Sequence, residues 1–303
     1  MPGIQFHNSL TGRMETEAVY GECWLRFVYE TGPGRLLLRA LVARGIFSRW
    51  YGWRMDAPSS RRLIAPFIER YGLDESEFAE ATGSFKSFNE FFVRRLKPEA
   101  RPVDADPGAL VFPADGRHLL VAELGKESAF WVKGARLDLP ALLGDAELAA
   151  RFEGGSALVS RLCPVDYHRF HFPVDCLASA PVLIRGPLYS VNPVALRWRP
   201  SILWENKRWV TRLDAGPFGG MAFVEVGATC VGSVAHSHPP EQPALKGGEK
   251  GRFRFGGSCV ILLVERGRVE WNAELLEQGG LGVEVYDRMG RRAALGTPVL
   301  ESE

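Results

Sequence analysis

The sequence predicts an α+β fold: a β-rich core, sandwich- or barrel-like, preceded by an N-terminal helical region, with the boundary near residue 100 separating 1–100 from 101–303. Three observations carry this. Apolar residues recur at helical spacing from 16 to about 97, the texture changes beyond 101 to short runs of valine, leucine and phenylalanine, and Gly and Pro punctuate those runs.

In the helical part, Val19, Tyr20, Cys23, Trp24, Phe27 and Val28 fall on one face. Leu63, Ile64, Phe67, Ile68 and Tyr71 do the same ahead of a stop at Gly72. Pro66 interrupts the second pattern and predicts a kink or a late helix start, because it has no N–H to give. Ser87 with Glu90 forms a capping-box pair that opens a helix over 88–96, which Pro98 closes. Strands are predicted over 109–112, 117–122, 157–162, 180–184, 208–213, 221–226, 229–234 and 259–265, with a polar Pro/Gly-rich loop over 237–251.

The chain is long enough for one large domain or two ordinary ones with substantial cores. Its 37 Lys plus Arg balance 36 Asp plus Glu, so no overall field draws nucleic acid and no such partner is expected. The five cysteines, 23, 163, 176, 230 and 259, contain no C-x-x-C pair, which argues against a disulfide framework or zinc knuckle and for a reducing compartment. Residues 1–9 lack the basic and apolar regions of a signal peptide, and no stretch approaches the roughly 20 apolar residues of a spanning helix. A soluble or peripheral protein is expected.

Between 35 and 62 lie Arg35, Arg39, Arg44, Arg49, Arg54, Arg61 and Arg62 against the single acid Asp56, interleaved with leucines, Ile46, Phe47, Trp50, Tyr51 and Trp53. Such a segment suits an anionic interface, with arginines on lipid phosphates and aromatic rings at headgroup depth. A helix packed on the β core with solvated arginines has the same composition, and both readings stand.

Three polar clusters could carry chemistry. Pro113-Ala114-Asp115-Gly116 puts a carboxylate in a tight turn between apolar strands, a position where aspartate also serves the turn alone. Asp166-Tyr167-His168-Arg169-Phe170-His171 holds two imidazoles three positions apart, which share a helix face or oppose each other on a strand. Structural histidines, loop residues and a metal pair all fit that spacing, although no Cys or carboxylate pattern completes a metal site. Gly256-Gly257-Ser258-Cys259 precedes the apolar run 260–264, with small glycines leaving the Gly257 carbonyl accessible to the adjacent Ser258 hydroxyl. The G-x-S-x-G elbow of hydrolases is absent.

The order of these clusters and their surroundings resemble the phosphatidylserine decarboxylase family over nearly the full length. The resemblance begins with the stretch from His7-Asn8 to Tyr29 and Phe88-Asn89-Glu90-Phe91-Phe92-Val93-Arg94-Arg95-Leu96-Lys97-Pro98. It continues through Pro113-Ala114-Asp115-Gly116, Val132-Lys133-Gly134, the block from Leu162 to His171, Leu188-Tyr189-Ser190-Val191-Asn192-Pro193 and Asn206-Lys207-Arg208. It ends with the block from Val226 to Ser233 and the run from Lys250 to Ser258.

By this resemblance Asp115, His171 and Ser258 match a self-cleavage triad in which Asp115 orients and stabilises the imidazole and His171 takes the Ser258 proton. Ser258 would attack the Gly257 carbonyl, and elimination and hydrolysis would leave residues 1–257 and a pyruvoyl-capped 258–303. The pyruvoyl group, the cofactor the chain makes from Ser258, would form a Schiff base with the serine headgroup amine and accept the electrons released with carbon dioxide. His168 matches the family's second histidine, expected to aid decarboxylation or reprotonation. The resemblance further implies a catalytic domain over 101–303, phosphatidylserine in an anionic membrane as substrate, and no metal or exogenous cofactor. It also implies cleaved chains held as a heterodimer or a higher oligomer of it, and a peripheral position on the cytoplasmic face of the cell membrane. Cys259 stands where the family pattern has Thr or Ser, and Gly256 where many members have Leu; a small thiol packs at a strand start, so cleavage is expected to survive.

Overall fold

Two fully buried strands, Ser156–Leu162 and Ser258–Val264, lie side by side at the centre of an eleven-stranded sheet, the second apolar from Cys259 onward and the first mostly apolar around Ser156, Ser160 and Arg161. A strand covered on both faces can be apolar throughout, which is why these read so clearly in the sequence. The computed structural model describes residues 4–17, 22–38, 45–125, 136–229, 234–254, 256 and 258–297. Val19, Tyr20, Arg39, Leu41, Arg44, Val132-Lys133-Gly134, Cys230 to Ser233 and Gly257 lie outside the described residues, as do the side chains of Cys23, Trp24, Arg35, Leu37, Ile46, Phe47 and Arg49.

From one edge the sheet runs Gln242–Ala244, Cys176–Ala178, Arg208–Asp214, Gly220–Val226, Ser258–Val264, Ser156–Leu162, Gly116–Val121, Val285–Asp287, Gln5–Asn8 and Arg13–Thr16, with Val182–Ile184 also on Arg208–Asp214. All pairings are antiparallel except Gln5–Asn8 on Val285–Asp287. Alternation splits the central strand between two cores. Cys259, Ile261 and Leu263 join Val159, Val224 and the helical Leu142, Leu196 and Leu203 on one face. Val260, Leu262 and Val264 meet Phe112, Phe170, Phe172 and Phe253 on the other. Those phenylalanines come from or beside two three-stranded sheets, Val234–His236 with Glu249–Phe253 and Arg169–His171, and Val269–Trp271 with Arg292–Gly296 and Ala109–Val111. The layering is helices, large sheet, small sheets, and Ser258 falls on the small-sheet side.

The N-terminal helices include Glu22–Glu30, Gly32–Leu37, Gly45–Asp56, Ile64–Tyr71 and Phe88–Phe92. Phe67, Phe78, Phe85, Phe88, Phe91 and Phe92 gather with Met55 into a separate aromatic cluster. Pro66 sits in the first turn of its helix, where a missing N–H costs nothing, and Gly72 ends that helix at φ 61°. Ser87 accepts from the Glu90 N–H as the capping box requires, while the Glu90 carboxylate reaches back to the Lys86 N–H.

That helix ends at Phe92 and not at 96: Ala79 N donates to Arg95 O and Lys97 N to Glu77 O, so the backbone leaves the helix to bridge Phe78 with Leu96. The hairpin Gln5–Asn8 with Arg13–Thr16 is a second difference from the sequence reading, for it belongs to the large sheet. The 237–251 loop contains the short strand Gln242–Ala244 and the start of Glu249–Phe253.

Candidate active site

Asp115 enters the site from the turn between Ala109–Val111 and Gly116–Val121 and is 1% exposed. The turn is tight: a Cβ at Gly116 would stand 2.5 Å from the Arg161 carbonyl oxygen. The Pro113 carbonyl accepts from the His171 N–H at 2.7 Å, which fastens the turn to the histidine strand. The Asp115 carboxylate is held by Arg101, whose Nε reaches both oxygens at 2.9 and 2.8 Å and whose Nη2 lies 2.6 Å from Oδ2; Met289 N donates to Oδ1 at 2.9 Å.

His168 and His171 flank and end the strand Arg169–His171. His168 Nδ1 meets the Asp166 carbonyl at 2.9 Å and His171 Nδ1 the Gly247 carbonyl at 2.9 Å. A carbonyl only accepts, so each neutral ring carries its proton on Nδ1 and presents a bare Nε2 lone pair. Both Nε2 atoms are buried and make no hydrogen bond among the described residues. Burial pushes His168 down to about 3 against the opposing Asp166 carbonyl; the Gly256 backbone approaches the ring without meeting hydrogen-bond geometry. Burial also lowers His171, against the Gly247 carbonyl. Phe92 lies 3.9 Å from the His168 ring and Tyr167 stacks on His171 at 5.8 Å.

Ser258 heads the central strand, opposite Leu162, fully buried, and its Oγ also has no hydrogen-bond partner among the described residues. Three polar atoms, the Ser258 hydroxyl oxygen and the two imidazole Nε2 atoms, are therefore buried without a hydrogen-bond partner among the described residues. Buried polar groups are normally satisfied, so such a group of exceptions marks chemistry. One hydroxyl and two imidazole lone pairs are what a nucleophile and two proton carriers need. Cys259 points to the opposite core, where burial raises its thiol and keeps it protonated.

Asp115 is near enough for its charge to raise His171, but the two side chains form no hydrogen bond: Arg101 and Met289 hold the carboxylate, and Gly247 takes the imidazole Nδ1. Gly247 does this from a left-handed turn at φ 76°, a job for backbone that no side-chain motif announces. Phe92, Arg94, Arg101 and Arg169 also shape the site; two of them, Phe92 and Arg94, lie within the motif 88–98, and Arg169 lies within 166–171. Arg169 donates to Val93 O at 3.0 and 2.7 Å and pairs with Glu249 at 2.5 Å, tying the N-terminal helices to the histidine strand.

Beneath the site runs a buried ion network. Arg161 bridges Glu17 and Glu284 at 2.7 Å each, and Arg117 reaches Asp166 at 3.1 Å. Burial alone would raise Glu17, but Arg161 and Arg117 overcome it and hold the carboxyl at about 2. Asp166, which fixes His168 through its carbonyl, is itself fixed by Arg117 and by the Cys163 N–H at 2.7 Å.

These shifts predict acid lability. His118, bonded to Ser160 at 2.8 Å, is pushed down to about 3 by burial, like His168. Below about pH 6.5 the unfolded chain binds these protons and the folded chain does not, so stability falls with pH by about 1.4 kcal/mol per unit for each such histidine. Glu17 adds to the loss as pH falls from its ordinary value toward about 2, while Asp166 and Asp287, both raised by burial, act in the opposite sense. The melting temperature followed by circular dichroism is expected to drop between about pH 7 and 5. A flat profile over that range contradicts the buried neutral histidines.

The family model for phosphatidylserine decarboxylase matches residues 88–292, which include all four side chains Asp115, His168, His171 and Ser258. The chain is 40% identical to a phosphatidylserine decarboxylase proenzyme of Chlamydia pneumoniae over 287 residues, 95% of each chain. It is 38% identical to one from Desulfitobacterium hafniense, covering 96% of this chain and 98% of the relative, and 39% identical to one from Clostridium botulinum, covering 95% and 97%. With the family model matched over 88–292 and relatives 38–40% identical over nearly the whole chain, this chain belongs to the phosphatidylserine decarboxylase family.

Proposed function

We propose that this chain is a phosphatidylserine decarboxylase that cuts itself between Gly257 and Ser258 and then carries a pyruvoyl group at residue 258. What supports this reading is the fully buried Ser258 Oγ together with the buried Nε2 atoms of His168 and His171, none of which has a hydrogen-bond partner among the described residues. The buried head of the central strand would hold a small ketone in place of the serine. When present, that ketone supplies the electron sink for loss of carbon dioxide.

His171, neutral with its lone pair on Nε2, takes the Ser258 proton, and the oxygen attacks the carbonyl of Gly257. The peptide link becomes an ester. Loss of the Ser258 Cα proton expels the Gly257 carboxylate, and hydrolysis of the dehydroalanine left behind releases ammonia. Asp115, paired with Arg101, lowers the cost of the transient imidazolium through its charge. His168 holds and returns the proton at the carbon that gave up carbon dioxide, an anionic substrate favouring its charged form.

The product chains stay together as a heterodimer, because Ser258–Val264 is hydrogen-bonded on one side to Gly220–Val226 and on the other to Ser156–Leu162. Region 101–303 is the catalytic domain and 1–100 the helical region that meets an anionic membrane, while its hairpin, Val28, Tyr29, Leu38 and the segment around Phe92 pack on the catalytic fold. Leu36 and Trp53 are 72% and 71% exposed on those helices beside Arg54, and Trp50 is half exposed. Among the described residues no helix is long and apolar enough to cross a membrane; a peripheral place at the cytoplasmic face is part of the proposal. Vesicles of phosphatidylserine in phosphatidylcholine are expected to yield carbon dioxide and phosphatidylethanolamine with the purified chain, and free serine none. Turnover of serine with no turnover of the lipid contradicts the reading.

A further inference from the structure

A cavity of about 310 Å³ opens between the aromatic cluster and the large sheet, with Arg94, Arg101, Arg117, Arg288, Asp115 and Tyr167 in its wall. Three of the four arginines are engaged. Arg101 pairs with Asp115 and with Glu77 at 3.1 Å, Arg117 with Asp166 at 3.1 Å, and Arg288 with Glu77 at 3.1 Å. Arg94 is different. It is 5% exposed, it forms no ion pair among the described residues, and its Nε and Nη1 are buried without a hydrogen-bond partner among them.

The guanidinium is nevertheless held in place. Its Cζ lies 4.9 Å from the ring centres of both Phe78 and Phe91, and its carbonyl accepts from Arg169. Burial brings it down to about 10, so it stays charged at neutral pH. A rigid, desolvated cation with two idle donors is costly to keep unless something anionic completes it. It shares the cavity wall with Asp115, and its charge is near enough to act on His168.

We propose that Arg94 binds the phosphodiester of the substrate headgroup, an assignment that rests on the decarboxylase reading above. The planar guanidinium fork matches two phosphate oxygens. The substrate carboxylate is the poorer occupant: a cation bound to it stabilises the charge that must leave as carbon dioxide, which favours the ground state over the transition state. The phosphodiester keeps its charge throughout the reaction. The product therefore occupies the same site, and a soluble diester without a carboxylate, glycerophosphoethanolamine, competes with the lipid.

The test uses cleaved wild-type protein, R94K and R94M on phosphatidylserine in mixed micelles, with two-chain gels and melting curves confirming maturation and folding. Wild-type turnover tests the decarboxylase reading by itself; the variants are then compared with it. R94M is expected to raise KM about tenfold or more with a smaller change in kcat, to weaken glycerophosphoethanolamine by a similar factor, and R94K to fall between. An unchanged KM and unchanged inhibition in matured variants overturn the proposal. So does weakened binding of glycerophosphoserine with unaltered binding of glycerophosphoethanolamine, since Arg94 would then hold the carboxylate. Should neither variant mature, wild-type inhibition decides: glycerophosphoethanolamine must inhibit where ethanolamine does not, and equal inhibition by both refutes a phosphodiester site.

Discussion

Ser258→Ala is expected to leave a single uncut polypeptide on a denaturing gel and to lower phosphatidylserine decarboxylation on the order of 10⁴-fold or more. The substitution removes one oxygen that has no hydrogen-bond partner among the described residues, from a fully buried position at the head of the central strand. No satisfied bond is lost, so the variant should fold with wild-type stability or slightly better. The fold is thus a control on itself: melting unchanged, cleavage gone, activity gone. Two chains from this variant would mean that another group attacks the link before residue 258.

His168→Gln is expected to separate maturation from turnover. The imidazole packs against Phe92 and is tied through Nδ1 to the Asp166 carbonyl, and a glutamine amide can keep that hydrogen bond and fill the space. Two chains should appear at a normal rate, while carbon dioxide release falls by about 10²–10⁴, the usual worth of a positioned proton carrier. His171→Gln should do the reverse and remain uncut, because its Nε2 is the lone pair assigned to Ser258. Equal activity of matured His168→Gln and wild type would remove His168 from the chemistry.

The parts of the fold that were legible are those in which burial alone dictates composition. The runs around 156–162, 220–226 and 258–264 are mostly apolar because they are covered on both faces, with Arg161 and Glu225 as buried charges, and no partner information is needed to see them. The start of Glu249–Phe253 falls in the 237–251 loop of the sequence reading because its buried positions include Lys250, whose ammonium is matched by Glu225 and by Thr211 at 2.9 Å, a pairing that only the tertiary structure supplies. Strands of three or four residues such as Gln5–Asn8 and Arg169–His171 are too short to show a period. The helix 88–92 was drawn too long because propensity continues through Val93 to Leu96 while the backbone hydrogen bonds go elsewhere.

For the site, Asp115, His168, His171 and Ser258 stood out only as an ordered set, since each alone resembles a turn, a core histidine or a Gly-Gly-Ser loop. Ser258 Oγ and both imidazole Nε2 atoms are buried without a hydrogen-bond partner among the described residues, and Asp115 is held by Arg101 instead of by the imidazole. Arg94, Arg101 and Gly247 were illegible for a common reason. Their importance lies in a missing partner, a borrowed carboxylate and a carbonyl direction, none of which is a property of residue type.

The account is tested most directly by the intact mass of the purified wild-type protein after denaturation. It predicts two components, one ending at Gly257 and one beginning at residue 258, the latter lighter by one ammonia than a chain with a free serine amino terminus and shifted further by a hydrazine. A single mass for all 303 residues, or a 258–303 fragment with an ordinary serine at its head, would contradict it.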